Sequence, residues 1–190
     1  MPAERGRRGD RHLNIANGMT ALRIALAPFV IWAIVAGRHR LALILFFFAA
    51  ITDVLDGALA RRFHLESRVG AYLDPIADKL LMSGVFVAFA IARIVPLWFV
   101  ALVLGRDLYI LCAAAILMRT TNVRNFPPSI WGKASTFVQI CTAVVWMARN
   151  MLGGSALEAL AWGMLWPCGA ITLWSGLHYT WRGMQLSRAH

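Results

Sequence analysis

Apolar runs of bilayer length dominate this chain. Six can be marked, at residues 17–37, 41–61, 70–92, 95–118, 133–152 and 156–181. A helix needs about 20 predominantly apolar residues to cross a hydrocarbon core. Inside lipid, a chain must satisfy its own backbone hydrogen bonds, which restricts spanning structures to helices and closed barrels. Six such helices use most of the 190 residues and leave only short connections. The expected fold is therefore an all-α integral membrane protein with six transmembrane helices. One domain is expected over residues 14–182, between a basic tail at 1–13 and a short tail at 183–190. Pro96 and Ser155 stand near helix starts, and Pro127–Pro128 marks a loop. A composition that is 59% hydrophobic and 15% charged excludes a disordered chain and an ordinary soluble domain. The basic residues ahead of the first run look like a secretory leader, but no A-x-A cleavage site follows and Arg23 interrupts the run.

Basic residues set the orientation. Placing the N-terminus in the cytosol puts Arg5, Arg7, Arg8, Arg11, Arg61, Arg62, Arg68, Arg119, Arg124, Lys133, Arg182 and Arg188 inside. Only Arg38, Arg40, Arg93 and Arg149 then fall outside. Cytoplasmic loops carry the excess of Lys and Arg, so both termini are expected in the cytosol, with a bacterial inner membrane as the expected location. In so apolar a chain, the net charge of +10 faces anionic lipid and cytosol rather than nucleic acid. Cys112, Cys141 and Cys168 sit singly in apolar runs and read as small core residues.

The nine acids are more informative than the bases. Asp53, Asp56, Asp74, Asp78 and Asp107 lie within or at the ends of apolar segments. A charge at the bilayer centre costs at least ~2.5–3.5 kcal/mol, so each needs a partner, a wet cavity or an ion. Asp53 and Asp56 share one helix face, and so do Asp74 and Asp78. The second segment runs inward and the third returns through a turn near 62–69, so all four carboxylates approach the cytosolic surface. At close quarters they repel or bind protons. Divalent cations relieve that repulsion, and hard oxygen ligands suit Mg²⁺ or Mn²⁺ completed by water and substrate phosphates. A polar patch neutralised by Arg and Lys, or a proton relay, are the alternatives. Gly57 leaves bare backbone beside the carboxylates, Arg61 can fork onto a phosphate, Gly70 opens the returning helix, and Ser67 adds a hydroxyl. Together they read as a phosphate or pyrophosphate cradle.

The segment Asp53-Val-Leu-Asp56-Gly57-Ala-Leu-Ala60-Arg61, eight residues, then Gly70-Ala-Tyr-Leu-Asp74-Pro-Ile-Ala-Asp78, resembles the CDP-alcohol phosphotransferase signature D-x2-D-G-x2-A-R-x8-G-x3-D-x3-D. All eight fixed positions match, a coincidence on the order of 10⁻¹⁰ per starting position at average residue usage. Weaker similarity lies in Asn17-x2-Thr20-x2-Arg23, Leu73–Lys79 and Gly132-Lys133-x2-Thr136-x2-Gln139. The resemblance implies six transmembrane helices, a homodimer and a cytosol-facing site. It also implies a CDP-linked lipid donor (CDP-diacylglycerol) and an alcohol acceptor. Carried over, Asp53, Asp56 and Asp74 would hold metal, expected as two Mg²⁺ or Mn²⁺ ions, and Asp78 would be both ligand and general base. Gly57, Ala60, Arg61, Ser67 and Gly70 would bind the CDP portion, with Asn17 and Thr20 nearby. The reaction implied is displacement at phosphorus with release of CMP.

The motif does not name the acceptor. The fourth segment carries Arg106-Asp107, where members acting on glycerol 3-phosphate tend to carry Arg-Glu with a second Arg two turns later; here that later position is Ala114. Members acting on phosphatidylglycerol share the Arg-Asp pair, a cation about three turns on (Arg119 here) and a similar Pro/Lys/Thr/Gln loop. The expected acceptor is phosphatidylglycerol, with glycerol 3-phosphate second, and Arg106, Asp107, Arg119, Arg124 and Lys133 are the candidate acceptor-binding residues. Arg106-Asp107 also reads as an ion pair that serves packing alone. A metal-ion transporter is the competing class, but it predicts acids spread over several helices near the midplane.

Overall fold

The computed structural model describes residues 22–63, 68–120 and 129–188. Every regular element among them is an α-helix, and no strand occurs among the described residues. We number the helices α1 (Leu22–Val35), α2 (His39–Phe63), α3 (Arg68–Ile91), α4 (Leu97–Thr120), α5 (Ile130–Leu152) and α6 (Ser155–Arg188). Each coincides with one of the six expected apolar segments to within a few residues, except that α6 continues as helix to Arg188.

The chain divides into two compact units, residues 1–92 and 93–190. In the first, α1 contributes Ala27, Val30 and Ile34 to the core, α2 contributes Ala42, Phe46 and Ala49, and α3 contributes Leu81, Val85, Ala88 and Phe89. These positions recur three or four apart, the spacing of one helix face. Gly84 of α3 lies against α1: a Cβ there would stand 2.6 Å from Ile31 Cδ1. α1 ends in a Schellman motif. Gly37 adopts φ +70°, its N–H donates to Ile34 O at 3.0 Å, and Arg38 N–H donates to Ala33 O at 2.8 Å.

In the second unit α6 packs against both α5 and α4. Small residues permit the approach: Gly169 faces Leu102 and Gly176 faces the Arg106 stem. The core combines Phe99, Val100 and Val103 of α4 with Ala143, Trp146 and Met147 of α5 and Ala161, Leu165 and Cys168 of α6. Ser129 caps α5, its side chain accepting from Gly132 N–H at 3.0 Å. The α5–α6 turn passes through Gly153 at φ +68° and Gly154 at φ +97°. There Arg149 makes a two-pronged pair with Glu158, Nε to Oε2 at 2.6 Å and Nη2 to Oε1 at 2.8 Å.

The outward faces are apolar as well. Phe29 and Trp32 on α1, Phe47 and Ile51 on α2, Leu80 and Val87 on α3, Leu108 on α4, Phe137 on α5 and Trp166 and Leu177 on α6 are all exposed. Among the described residues one stretch, Ser155–Trp181, is long and apolar enough by itself to cross a bilayer. Leu22–Val35, His39–Thr52 and Lys79–Ile91 are shorter apolar helices.

Candidate functional site

The aspartate motif occupies the end of one helix and the start of the next. Asp53, Asp56, Gly57, Ala60 and Arg61 fall on α2, in the last three turns before Phe63. Gly70, Asp74 and Asp78 fall on α3, in the first three turns after Arg68. Continuous helix through both stretches gives each aspartate pair an i,i+3 or i,i+4 register, which puts the two positions on one helix face. The side chains of these residues are outside the description, as is that of Arg119 on α4. Asn17, Thr20, Ser67 and Arg124 lie outside the described residues altogether. Four carboxylates in these two registers are a hard-oxygen donor set of the kind that Mg²⁺ or Mn²⁺ takes.

The second cluster lies in the α4–α6 unit. Arg106 and Asp107 form a direct ion pair, Nη1 to Oδ1 at 2.8 Å, with side chains only 8% and 10% exposed. A second donor of the guanidinium is engaged as well: Nε donates to Ser175 Oγ of α6, also at 2.8 Å. Nη2 is buried and finds no hydrogen-bond partner among the described residues. The guanidinium carbon lies 6.0 Å from the ring centre of Tyr179, one turn further along α6. Tyr179 in turn holds the start of α5. Its hydroxyl accepts from Ser129 N–H at 3.0 Å, and its ring packs so closely on Gly132 that a Cβ there would stand 3.1 Å away. Lys133, the next residue, is exposed on the first turn of α5.

A seam of hydroxyls and one amide joins α5 to α6 beneath this cluster. Gln139 Nε2 donates to Thr172 Oγ1 at 3.2 Å and approaches Ser135 Oγ at 3.4 Å, and the two hydroxyls are themselves 3.4 Å apart. All three residues are buried. Gln139 therefore serves the α5–α6 contact, and Thr136 bonds back to Gly132 O at 3.2 Å within its own helix.

Arg106 and Asp107, singled out from the sequence, are thus brought together with Ser175, Gly176 and Tyr179, which were not. A signal for the missed residues exists. Thr172, Ser175 and Tyr179 interrupt the apolar stretch of α6 at spacings of three and four, and Ser135, Gln139 and Thr142 do the same on α5. Polar residues on one face of an apolar helix mark the face that meets protein.

Comparison with known proteins bears on the chain as a whole. A family model described as CDP-alcohol phosphatidyltransferase matches residues 13–174. A Drosophila melanogaster protein named probable cardiolipin synthase (CMP-forming) is 30% identical over 91% of this chain, which spans 60% of that protein's length. The Streptomyces coelicolor cardiolipin synthase (CMP-forming) is 30% identical over 95% of this chain and 87% of its own length. The Bacillus subtilis CDP-diacylglycerol–glycerol-3-phosphate 3-phosphatidyltransferase is 29% identical over 92% of this chain and 98% of its own.

Proposed function

The chain belongs to the CDP-alcohol phosphatidyltransferase family, and from that premise we propose that it transfers the phosphatidyl group of CDP-diacylglycerol to the hydroxyl of phosphatidylglycerol, making cardiolipin and CMP. The observation that carries the phosphatidyl transfer, though not the choice of acceptor, is the complete eight-position motif, running from Asp53 to Asp78 across two successive helices.

Asp53, Asp56, Asp74 and Asp78 would hold two Mg²⁺ or Mn²⁺ ions. A divalent cation supplies neutralisation of the pyrophosphate charge as CMP departs. The chain's own residues do the rest. Arg61 binds donor phosphate through its fork of N–H groups, and Gly57 and Gly70 leave room for close approach, with Ala60, Ser67, Asn17 and Thr20 around the nucleotide portion. Asp78 accepts the proton of the acceptor hydroxyl. The freed oxygen bonds to the phosphorus that carries diacylglycerol, and the bond from that phosphorus to the CMP oxygen breaks. On the acceptor side Arg106, held beside Asp107, contacts the acceptor's phosphate, with Arg119, Arg124 and Lys133 as further cations.

Phosphatidylglycerol, a singly charged diester, is favoured because the position two turns after Arg106 is Ala114 and supplies no second cation there. A dianionic phosphomonoester asks for several uncompensated cations. Two relatives at 30% identity carry the cardiolipin synthase name. The Bacillus subtilis relative, matched over nearly its whole length, supports glycerol 3-phosphate as the second reading.

We further propose that all six helices are immersed in a membrane as a homodimer, with both termini and the aspartate cluster cytosolic. Exposed large apolar side chains on every helix support immersion, and the distribution of Lys and Arg supports the orientation. The test is purified protein in detergent with CDP-diacylglycerol and Mn²⁺, offered phosphatidylglycerol, glycerol 3-phosphate and inositol phosphate in parallel, with lipid products read by mass spectrometry. Cardiolipin with stoichiometric CMP is expected, lost on EDTA and restored by Mn²⁺. CMP release with none of the three acceptors would overturn the activity. Phosphatidylglycerophosphate as the main product would overturn the acceptor.

A further inference from the structure

An arginine buried in an apolar helix bundle is costly unless its donors are engaged. Two of the three nitrogens of Arg106 are engaged, and the partners differ in kind. Asp107 is its neighbour on α4, so that pair moves with Arg106 itself. Ser175 belongs to α6 and holds the guanidinium from outside its own helix. The Ser175 hydroxyl is itself fixed. It donates to Thr172 O at 3.0 Å, which leaves its lone pairs turned to Arg106 Nε. Gly176 makes the adjoining space: the Arg106 Cγ would lie 3.7 Å from a Cβ at that position. Tyr179 closes the far side of the guanidinium and ties it to the first turn of α5. The result is a guanidinium held in plane and in rotation, with Nη2 as the one nitrogen lacking a partner among the described residues.

We infer that Ser175 is a positioning residue for the acceptor: by accepting from Arg106 Nε it aims Nη2 at an anionic phosphate oxygen of the incoming alcohol. This rests on the phosphatidyltransferase reading above and adds to it a residue of α6 that acts only through Arg106. The ligand chemistry is a phosphate oxygen, whether from a lipid diester or from a free phosphomonoester, and kinetics with each acceptor separate the two.

The experiment compares wild type with Ser175→Ala, Ser175→Thr and Thr180→Val. Thr180 provides the control. Its hydroxyl lies 2.7 Å from that of Tyr109, so Thr180→Val removes a hydrogen bond between the same two helices without touching Arg106. Initial rates of CMP release are measured against acceptor at fixed donor, and against CDP-diacylglycerol at fixed acceptor. Ser175→Ala is expected to raise the KM for the acceptor about tenfold, the scale of one hydrogen bond to a charged group, while the KM for the donor changes less than about twofold. Ser175→Thr keeps the hydroxyl and restores the acceptor KM, and Thr180→Val leaves it at the wild-type value. Whichever acceptor shows the selective rise identifies the phosphate that Nη2 meets.

Equal changes in donor and acceptor KM for Ser175→Ala, no change in either, or an equal rise for Thr180→Val would overturn the inference and leave Ser175 a packing residue. A wild-type protein that releases no CMP with any acceptor is a different result, and it overturns the transferase reading itself. Should Ser175→Ala fail to fold, Ser175→Cys, whose thiol is a weak acceptor of similar size, is expected to show the same selective rise in acceptor KM, and its absence counts against the inference.

Discussion

Asp78 and Arg61 test different halves of one reaction. Asp78→Asn keeps the size and an oxygen but removes the base, so turnover is expected to fall about 10²–10⁴-fold. Binding of CDP-diacylglycerol, measured by titration calorimetry, is expected to persist, and unchanged turnover would remove the base assignment. Arg61→Ala deletes charge-assisted bonds to phosphate, so donor affinity is expected to fall tenfold or more, about 1.5–3 kcal/mol; unaltered donor affinity would take the phosphate role from it. Such residues stand out in the sequence because an aspartate in an apolar run is costly without a partner, a wet cavity or an ion, and because its spacing to the next repeats a helical turn. Ser175 is not legible in the same way. A serine costs little in an apolar helix, since its hydroxyl can bond back into its own backbone, as it does to Thr172 O. Only the position of Arg106 across the α4–α6 contact gives that serine a role, and a sequence does not state which helices touch.

At the scale of elements, apolarity located the helices and capping chemistry set their ends. The fifth apolar run begins at 133, yet α5 starts at Ile130, because Ser129 satisfies the Gly132 N–H and fixes the first turn. The sixth run ends at Trp181, yet α6 continues to Arg188, since nothing in that stretch removes a backbone donor as proline would. A helix need not stop where its side chains turn polar. The α1 end is set by Gly37, which occupies the left-handed position that a Schellman motif requires. The α5–α6 seam carries a prediction of its own. Gln139→Leu removes the amide and leaves the Ser135 and Thr172 hydroxyls, 3.4 Å apart, to pair with each other. Interhelical hydrogen bonds in membranes average about 0.6 kcal/mol, so a loss of roughly 1 kcal/mol is expected in a denaturation series in detergent. Donor and acceptor KM should stay in place. A selective rise in acceptor KM would instead make this seam part of the acceptor machinery.

For the molecule as a whole the question is which helix ends face which side, and α5 is the clearest gauge. Lys133 stands on its first turn and Arg149 on its last, and 23 residues at a rise of 1.5 Å each give a helix about 34 Å long, close to the hydrocarbon thickness of a bilayer. Under the proposed immersion both ends reach an interface, one of them outside. The proposed orientation puts Lys133 in the cytosol together with Arg61, Arg62, Arg68 and the N-terminal arginines, and Arg149 on the opposite face with Arg38, Arg40 and Arg93. Arg149 is engaged by Glu158, and the same carboxylate accepts from Trp162 Nε1 at 2.8 Å. Its charge is thereby compensated, which in the proposed orientation offsets the pull of the membrane potential and the anionic leaflet. Single cysteines at Arg38, Lys133 and Ser155, in a background with Cys112, Cys141 and Cys168 replaced by serine, resolve the matter with a membrane-impermeant maleimide on intact spheroplasts. Lys133, Arg38 and Ser155 are all exposed. Labelling is expected at Arg38→Cys and Ser155→Cys without permeabilisation, and at Lys133→Cys only after it. The reverse pattern would place the aspartate-bearing ends of α2 and α3 outside, where a cytosolic nucleotide-linked lipid headgroup cannot reach them, and the transferase reading would fall with the orientation.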